Sequence, residues 1–256
     1  GGEAVTPREI LFEAMLAGAA DLARRRALLD AINVFPVVDA DTGANLCRTV
    51  EALAASIRAG GDDPGRAVLL GARGNSGVIL AEHLVGFLEA LGPHDDFTAA
   101  ELVSALERGA ELARRAVTTP VEGTILTVMS ALPGMMRALS FVGEESAHAE
   151  LERRLAAAVA DTPRLMPRLA EAGVVDSGAL GFHIFACGLS LALLGFRSPE
   201  GAIAAIRARR DFVTSAPLGA ISDKIDPRFL EDAARLGEME ARFCVDAVVE
   251  LEGEPP

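Results

Sequence analysis

Asp39 and Asp41 stand two residues apart in the stretch Asn33-Val-Phe-Pro-Val-Val-Asp-Ala-Asp-Thr-Gly-Ala-Asn45, behind an apolar run that includes Phe35 and Pro36. Pro36 disfavours helix at Phe35, so the run reads as extended, and a side-chain period near two points both carboxylates to one side. Thr42 and Gly43 then turn the chain, and an amphipathic helical pattern begins near Ala44. Hard oxygen ligands just ahead of a helix N-terminus suit a magnesium-bound phosphate group. The carboxylates take the metal, and the backbone N–H groups of Thr42, Gly43, Ala44 and Asn45 meet the phosphates. The same residues also describe an acidic turn in which Asp41 merely caps a helix. A second stretch, Gly74-Asn75-Ser76-Gly77, offers N–H groups at another helix start, with the Ser76 hydroxyl as a further donor. Glycine there permits close backbone approach, although an Asn-Ser-Gly turn is also an ordinary cap. Arg73, beside it, is placed either to pair with an anionic reactant or to form a surface salt bridge.

The elements that position these stretches read as helices almost throughout. Half of the 256 residues are apolar, with no Trp and no Tyr, and the Ala, Leu and Val content favours helix over strand. Thr6-Pro7-Arg8-Glu9 is a capping box with proline at the first helical position, opening a helix to about Asp30. Further helices are expected over Ala44–Ala59, Arg66–Gly71 and Ser76–Leu91, and from the Thr98/Glu101 capping box to about Val117. Another opens at Gly123 or Thr124 and should kink or break at Pro133-Gly134. Glu145–Ala160, Thr162–Gly173, a segment from about Ser177 and Pro199–Arg209 complete the series. The longest apolar run, Ala179 to Phe196, reads as a buried core helix rather than a membrane span, since it carries His183 and Ser190 and stands alone. Short loops make successive helices antiparallel neighbours. Four glycine-containing stretches precede helices near Ala44, Ser76, Thr124 and Ser177, each about two helices from the next, so all four should meet at one end of the bundle.

Composition excludes several classes. The net charge of −13 argues against nucleic acid and anionic membrane as general partners. Cys47, Cys187 and Cys244 are odd in number and widely spaced, which implies no disulfide framework and fits a reducing, cytoplasmic setting. The single lysine, Lys224, lies outside the motifs, and no Gly-x-x-x-x-Gly-Lys-Ser/Thr occurs. A P-loop or protein-kinase mechanism is thereby excluded, and phosphate charge must be met by metal, backbone N–H groups and helix N-termini.

The opening stretch, Gly71-Ala-Arg-Gly-Asn-Ser-Gly77, Pro120-Val-Glu-Gly-Thr-Ile-Leu-Thr127 and Gly173-Val-Val-Asp-Ser-Gly-Ala-Leu-Gly181 together resemble the ATP-binding domain of the fatty-acid kinases. That domain is similar to the nucleotide-binding L subunit (DhaL) of dihydroxyacetone kinase, and the resemblance runs from about Thr6 to Ala208. It implies an all-α, antiparallel up-and-down eight-helix barrel binding ATP and Mg²⁺, with two ions as the preferred count. It implies Asn33 as a third metal ligand beside Asp39 and Asp41, unless Asn33 simply makes a loop hydrogen bond. Glu122, Gly123, Thr124 and Thr127 would form a third wall near nucleoside and phosphates, or else cap and pack a helix. Asp176, Ser177 and Gly178 would form a fourth wall toward ribose and base, or Asp176 would be a helix cap. Departures stand at Val38, Ala40, Ala44, Thr119, Ala179 and Leu180, where the family tends to have Pro, Gly, Thr, Lys and a Gly-Lys pair. Ala40 costs most if its φ is positive.

Two units are expected: residues 6–210 as the kinase domain, and 211–256 as linker plus the start or vestige of a second domain with a strand-like tail at Ala241–Leu251. The resemblance implies phosphoryl transfer to an acyl carboxylate presented by a lipid-binding partner protein. Such an acceptor is already ionised at pH 7 and needs no general base, and none of the four histidines falls in a motif. No nucleic-acid partner and no membrane insertion are expected, and a homodimer is compatible with the sequence. The rival readings are a dihydroxyacetone (glycerone) kinase-like activity and a nucleotide-binding regulatory module that no longer turns over.

Overall fold

The first helix, α1 (Pro7–Arg24), starts on the capping box read from the sequence: the Thr6 hydroxyl accepts the Glu9 N–H and the Glu9 carboxylate accepts the Thr6 N–H. The computed structural model describes residues 5–61, 63–139, 144–190, 192, 202–204, 206 and 221–235. After α1 come α2 (Arg26–Ala31), α3 (Thr42–Arg58), α4 (Pro64–Gly71), α5 (Gly74–Leu91) and α6 (Ala99–Arg115). Then follow α7 (Ile125–Leu139), α8 (Glu144–Ala160), α9 (Thr162–Leu165), α10 (Pro167–Ala172) and α11 (Ser177–Ser190). A 3₁₀ turn at Ser222–Lys224 and helix at residues 227–235 complete the described chain. No strand occurs among the described residues, so the expected all-α class holds. The strand-like tail and most of the helix expected over Pro199–Arg209 lie outside them, although residues 202–204 and 206 are helical.

Neighbours in sequence pack as neighbours in space, α3 on α4, α4 on α5, α5 on α6, α6 on α7 and α7 on α8, and α3 also packs on α5. The centre is α11, which packs against α1, α3, α7 and α8 and has every residue but Leu189 buried. This is the apolar run of the sequence, and it is a core helix. No helix among the described residues is long and apolar enough to cross a membrane.

Several helix bounds differ from the pattern, each for a local reason. The first helix stops at Arg25 (φ −109°, ψ 5°) and α2 turns away to deliver Asp30 to the start of α3. Thr42 and Gly43 belong to α3 itself rather than to a preceding turn. The helix expected over Thr162–Gly173 is two helices, because Pro167 forces Met166 into an extended conformation (φ −129°, ψ 100°). Pro133 does not end α7: it lies buried with Leu132 and Met136, and packing carries the helix through to Leu139.

The crossing of α1 and α11 depends on glycine. A Cβ on Gly18 would collide with the Phe185 carbonyl, and one on Gly188 with the Gly18 backbone. Gly18→Val should therefore destabilise the bundle by about 3 kcal/mol through overpacking, measured as a fall in the urea midpoint with unchanged slope.

Candidate functional site

A cleft of about 590 Å³ opens where α3, α5, α7 and α11 begin, and residues from all four glycine-containing stretches line it. The expected meeting of the motifs at one end of the bundle is what the fold produces.

Asn33, Asp39, Asp41 and Thr42 form one side. The Asp39 carboxylate accepts a 2.6 Å hydrogen bond from the Asn33 amide. The Asn33 side-chain oxygen is buried and has no hydrogen-bond partner among the described residues. Asp41 precedes α3, but its side chain makes no capping bond, so the helix-cap alternative does not account for it. Both aspartates are exposed and line the cleft, yet not through a continuous extended run: Ala40 between them has φ 53°. The departure from glycine thus falls where a Cβ is strained, by about 1–2 kcal/mol. The Phe35–Pro36 peptide bond is cis.

Gly74, Asn75 and Ser76, the first turn of α5, form a second side, and this helix also begins without a side-chain cap. Its close seat against α3 requires glycine, since a Cβ on Gly74 would overlap the Asn45 amide and one on Gly77 would lie 2.9 Å from the Thr49 hydroxyl. Gly43, Ala44, Asn45 and Gly77 are not among the lining residues: Gly43 and Ala44 seat α3 on α2 at Arg26, Leu29 and Asp30, and Asn45 and Gly77 seat α3 against α5. Arg73 is exposed and donates to the carbonyls of Leu70 (3.0 Å) and Ala72 (2.6 Å), closing the end of α4 rather than pairing with a carboxylate among the described residues.

The loop between α6 and α7 supplies Thr118, Thr119, Val121 and Thr124 to the cleft. Glu122, Gly123 and Thr127 do not line it. Their polar groups bond one another: the Thr127 hydroxyl donates to Glu122 (2.7 Å) and accepts the Gly123 N–H (2.9 Å). Of the remaining departures, Thr119 faces the cleft whereas Ala179 and Leu180 are wholly buried in the core.

Asp176 and Gly178 form the fourth side. Asp176 is 6 % exposed and caps α11 by accepting the Ala179 N–H at 2.8 Å. It also accepts the N–H of Ile125, the first residue of α7, so one carboxyl group joins two helix N-termini. Burial outweighs both bonds and pushes its pKa up to about 6. Ser177 does not line the cleft; its hydroxyl donates to the Leu29 carbonyl at 2.6 Å.

Sequence reading missed the residues that brace these walls. Asp30 accepts the Ala44 N–H at 3.0 Å, Thr162 accepts the Asp176 N–H at 3.0 Å, and Arg168 donates to the Pro36 carbonyl at 3.2 Å. Thr49 donates to the Asn45 carbonyl at 2.9 Å. Polar residues inside otherwise helical patterns were the only signal available. None of the four histidines lines the cleft, and no lining residue is cationic, whereas three are carboxylic acids.

Residues 36–190 match the DAK2 domain, and the chain belongs to this family, the DhaL-like kinase domain. Protein YloV of Bacillus subtilis is 33 % identical over 261 residues, covering 94 % of this chain and 43 % of YloV. Uncharacterized protein SSP1546 of Staphylococcus saprophyticus is 34 % identical over 206 residues, covering 73 % and 36 %. Uncharacterized protein SH1689 of Staphylococcus haemolyticus is 36 % identical over 189 residues, covering 68 % and 33 %. The chain thus spans less than half the length of these curated relatives.

Asp176 makes stability depend on pH. Its pKa is raised on folding from 3.8 to about 6, so the stability its protonated form contributes is full below about pH 4 and is lost as pH rises through 6. Asp176→Asn keeps an acceptor but cannot ionise. From pH 4.5 to 7.5 the wild type should lose about 2 kcal/mol relative to this variant, read from urea unfolding at both pH values.

Proposed function

We propose that the chain binds ATP with Mg²⁺ in this cleft and transfers the γ-phosphoryl group to an acyl carboxylate carried by a lipid-binding partner protein. The observation that carries the reading is the meeting at one cleft, beside Asp39 and Asp41, of the starts of α3 and α5, whose N-cap residues Asp41 and Arg73 make no side-chain capping bond. Of the other long helices, α1 and α6 are capped by Thr6 and Thr98, whereas the short helices α2, α9 and α10 also begin without a side-chain cap but do not start on the cleft. Uncapped N–H groups favour phosphate, and a cleft with carboxyl groups and no cation repels it unless a metal intervenes.

The donor set fits Mg²⁺. Asn33, whose buried oxygen has no partner among the described residues, Asp39 and Asp41 supply hard oxygens. Among the described residues no cluster of three His, Cys, Asp or Glu side chains offers a complete protein cage. Few carboxylates plus phosphate oxygens is the usual manner in which this ion is held. Bound there, it would neutralise phosphate charge and polarise the transferring group. The first turns of α3 (Thr42) and α5 (Gly74, Asn75, Ser76) orient the phosphates through N–H groups, Ser76 adding its hydroxyl. Thr124 and Gly178 border the nucleoside side, and Thr118 and Thr119 offer only neutral hydroxyls there. Arg73 reaches the acceptor or the transferring group by releasing its two loop carbonyls.

The acceptor arrives on a protein. Among the residues lining the cleft, Val37 (60 %), Val78 (42 %) and Val121 (38 %) are exposed apolar side chains suited to a docking protein surface. A partner carrying an acyl chain would cover them while bringing the carboxylate to the carboxylate–phosphate end.

Calorimetry should show ATP binding with Mg²⁺ and at least a tenfold loss in EDTA. Asp41→Ala should abolish binding without lowering the melting temperature, because its side chain is exposed and caps nothing. Equal affinity in EDTA would remove the metal from the reading. Turnover should require the acyl-loaded partner. Rapid phosphorylation of free fatty acid or of dihydroxyacetone would place the acceptor site in this chain, and nucleotide binding without turnover on any acceptor would leave a regulatory module.

A further inference from the structure

Glu122 sits in a glycine-containing motif beside the cleft, yet both of its carboxylate oxygens are engaged away from it. One accepts the Arg114 guanidinium at 2.9 Å and the other the Thr127 hydroxyl at 2.7 Å. Arg114 lies in the last turn of α6 and Thr127 in the first turn of α7. Between them runs the loop whose Ala116, Val117, Thr118, Thr119, Val121 and Thr124 line the cleft. The loop is closed further by the Thr124 hydroxyl, which donates to the Val121 carbonyl at 2.8 Å, and by the Gly123 N–H on Thr127. Gly123 has φ +81°, and a Cβ there would meet the Leu165 side chain at 2.9 Å and the Thr162 carbonyl at 3.0 Å. The backbone at this point is therefore fixed against α9, and Glu122 is turned toward the α6–α7 junction.

We propose that Glu122 is a positioning residue: with Arg114 and Thr127 it latches the ends of α6 and α7 and so sets the loop wall at residues 116–124, without touching ligand or metal. The two bonds also hold its carboxyl below the usual carboxylate range, which keeps the latch charged across the neutral pH window. The Arg114–Glu122 pair is about half exposed on each side (47 % and 55 %), so its effect is graded rather than all-or-none.

The latch rests on the nucleotide reading only for its affinity readout, and two measurements keep them apart. Hydrogen exchange in the ligand-free protein should show faster exchange of the 116–124 amides in both Glu122→Ala and Arg114→Met, with α3 and α5 unchanged. In calorimetry with Mg²⁺–ATP each variant should weaken binding roughly threefold to fivefold. The double variant should be no weaker than the worse single, as for two parts of one interaction. Glu122→Gln, whose amide oxygen can still accept the Arg114 guanidinium while its NH2 donates to the Thr127 hydroxyl oxygen, should recover most of the loss. The proposal is overturned if Glu122→Gln is as damaging as Glu122→Ala while Arg114→Met is silent, since charge acting on ligand or metal would then be the role. It is overturned equally if exchange in the loop does not change. Faster loop exchange in a protein that binds no nucleotide would uphold the latch and dismiss the nucleotide reading instead.

Discussion

One buried carboxyl group joins the two halves of the cleft. Asp176 accepts the N–H at the start of α7 and the N–H in the first turn of α11, and its own N–H is taken by Thr162. Without such an acceptor, two helices would begin inside the bundle with orphaned donors, each a cost comparable to a lost hydrogen bond. Satisfying both with one group forces the helices to start side by side. That proximity puts the α6–α7 loop next to the Gly173–Ser177 turn. The energy of burying a carboxyl group is thus offset by the organisation of two walls at once.

The opposite walls follow different physics. The starts of α3 and α5 are brought together by absent side chains: glycine at 74 and 77 lets α5 approach Asn45 and Thr49 of α3, while Gly43 seats α3 on α2. Asp30 accepts the Ala44 N–H in the first turn of α3. A cleft built this way has donors on one face, acids on the next and no cation among its lining residues.

Much of this was legible in the sequence. Two capping boxes, proline at first helical positions and short loops indicated helix direction well enough to bring the four stretches to one end, although two of the expected helices are each split in two. What the sequence concealed was the division of labour inside each stretch. Glu122, Gly123 and Thr127 look like ligands because they share a motif with Thr124, yet they brace the loop. Asp30, Thr162 and Arg168 look like ordinary helix residues because their partners lie 14, 14 and 132 positions away, a separation no local pattern encodes. The break at Met166 was signalled by Pro167 and overlooked; the break at Arg25 carried no such signal. Ala40 was suspect on the sequence, but only the backbone angle turned suspicion into strain.

The segment after the bundle returns to the Gly173 turn. The Asp226 N–H donates to the Gly173 carbonyl at 2.8 Å, and Ile221 and Ile225 are buried beside it. Helix at residues 227–235 then advances at ~1.5 Å per residue, so the backbone reaches residue 235 within about 14 Å of that turn. Anything joined there by a short flexible connection is confined near the Asp176 wall at an effective concentration on the order of millimolar. Encounter with the cleft then becomes an intramolecular event, and weak contacts too feeble to hold a free molecule suffice to keep a tethered one in place.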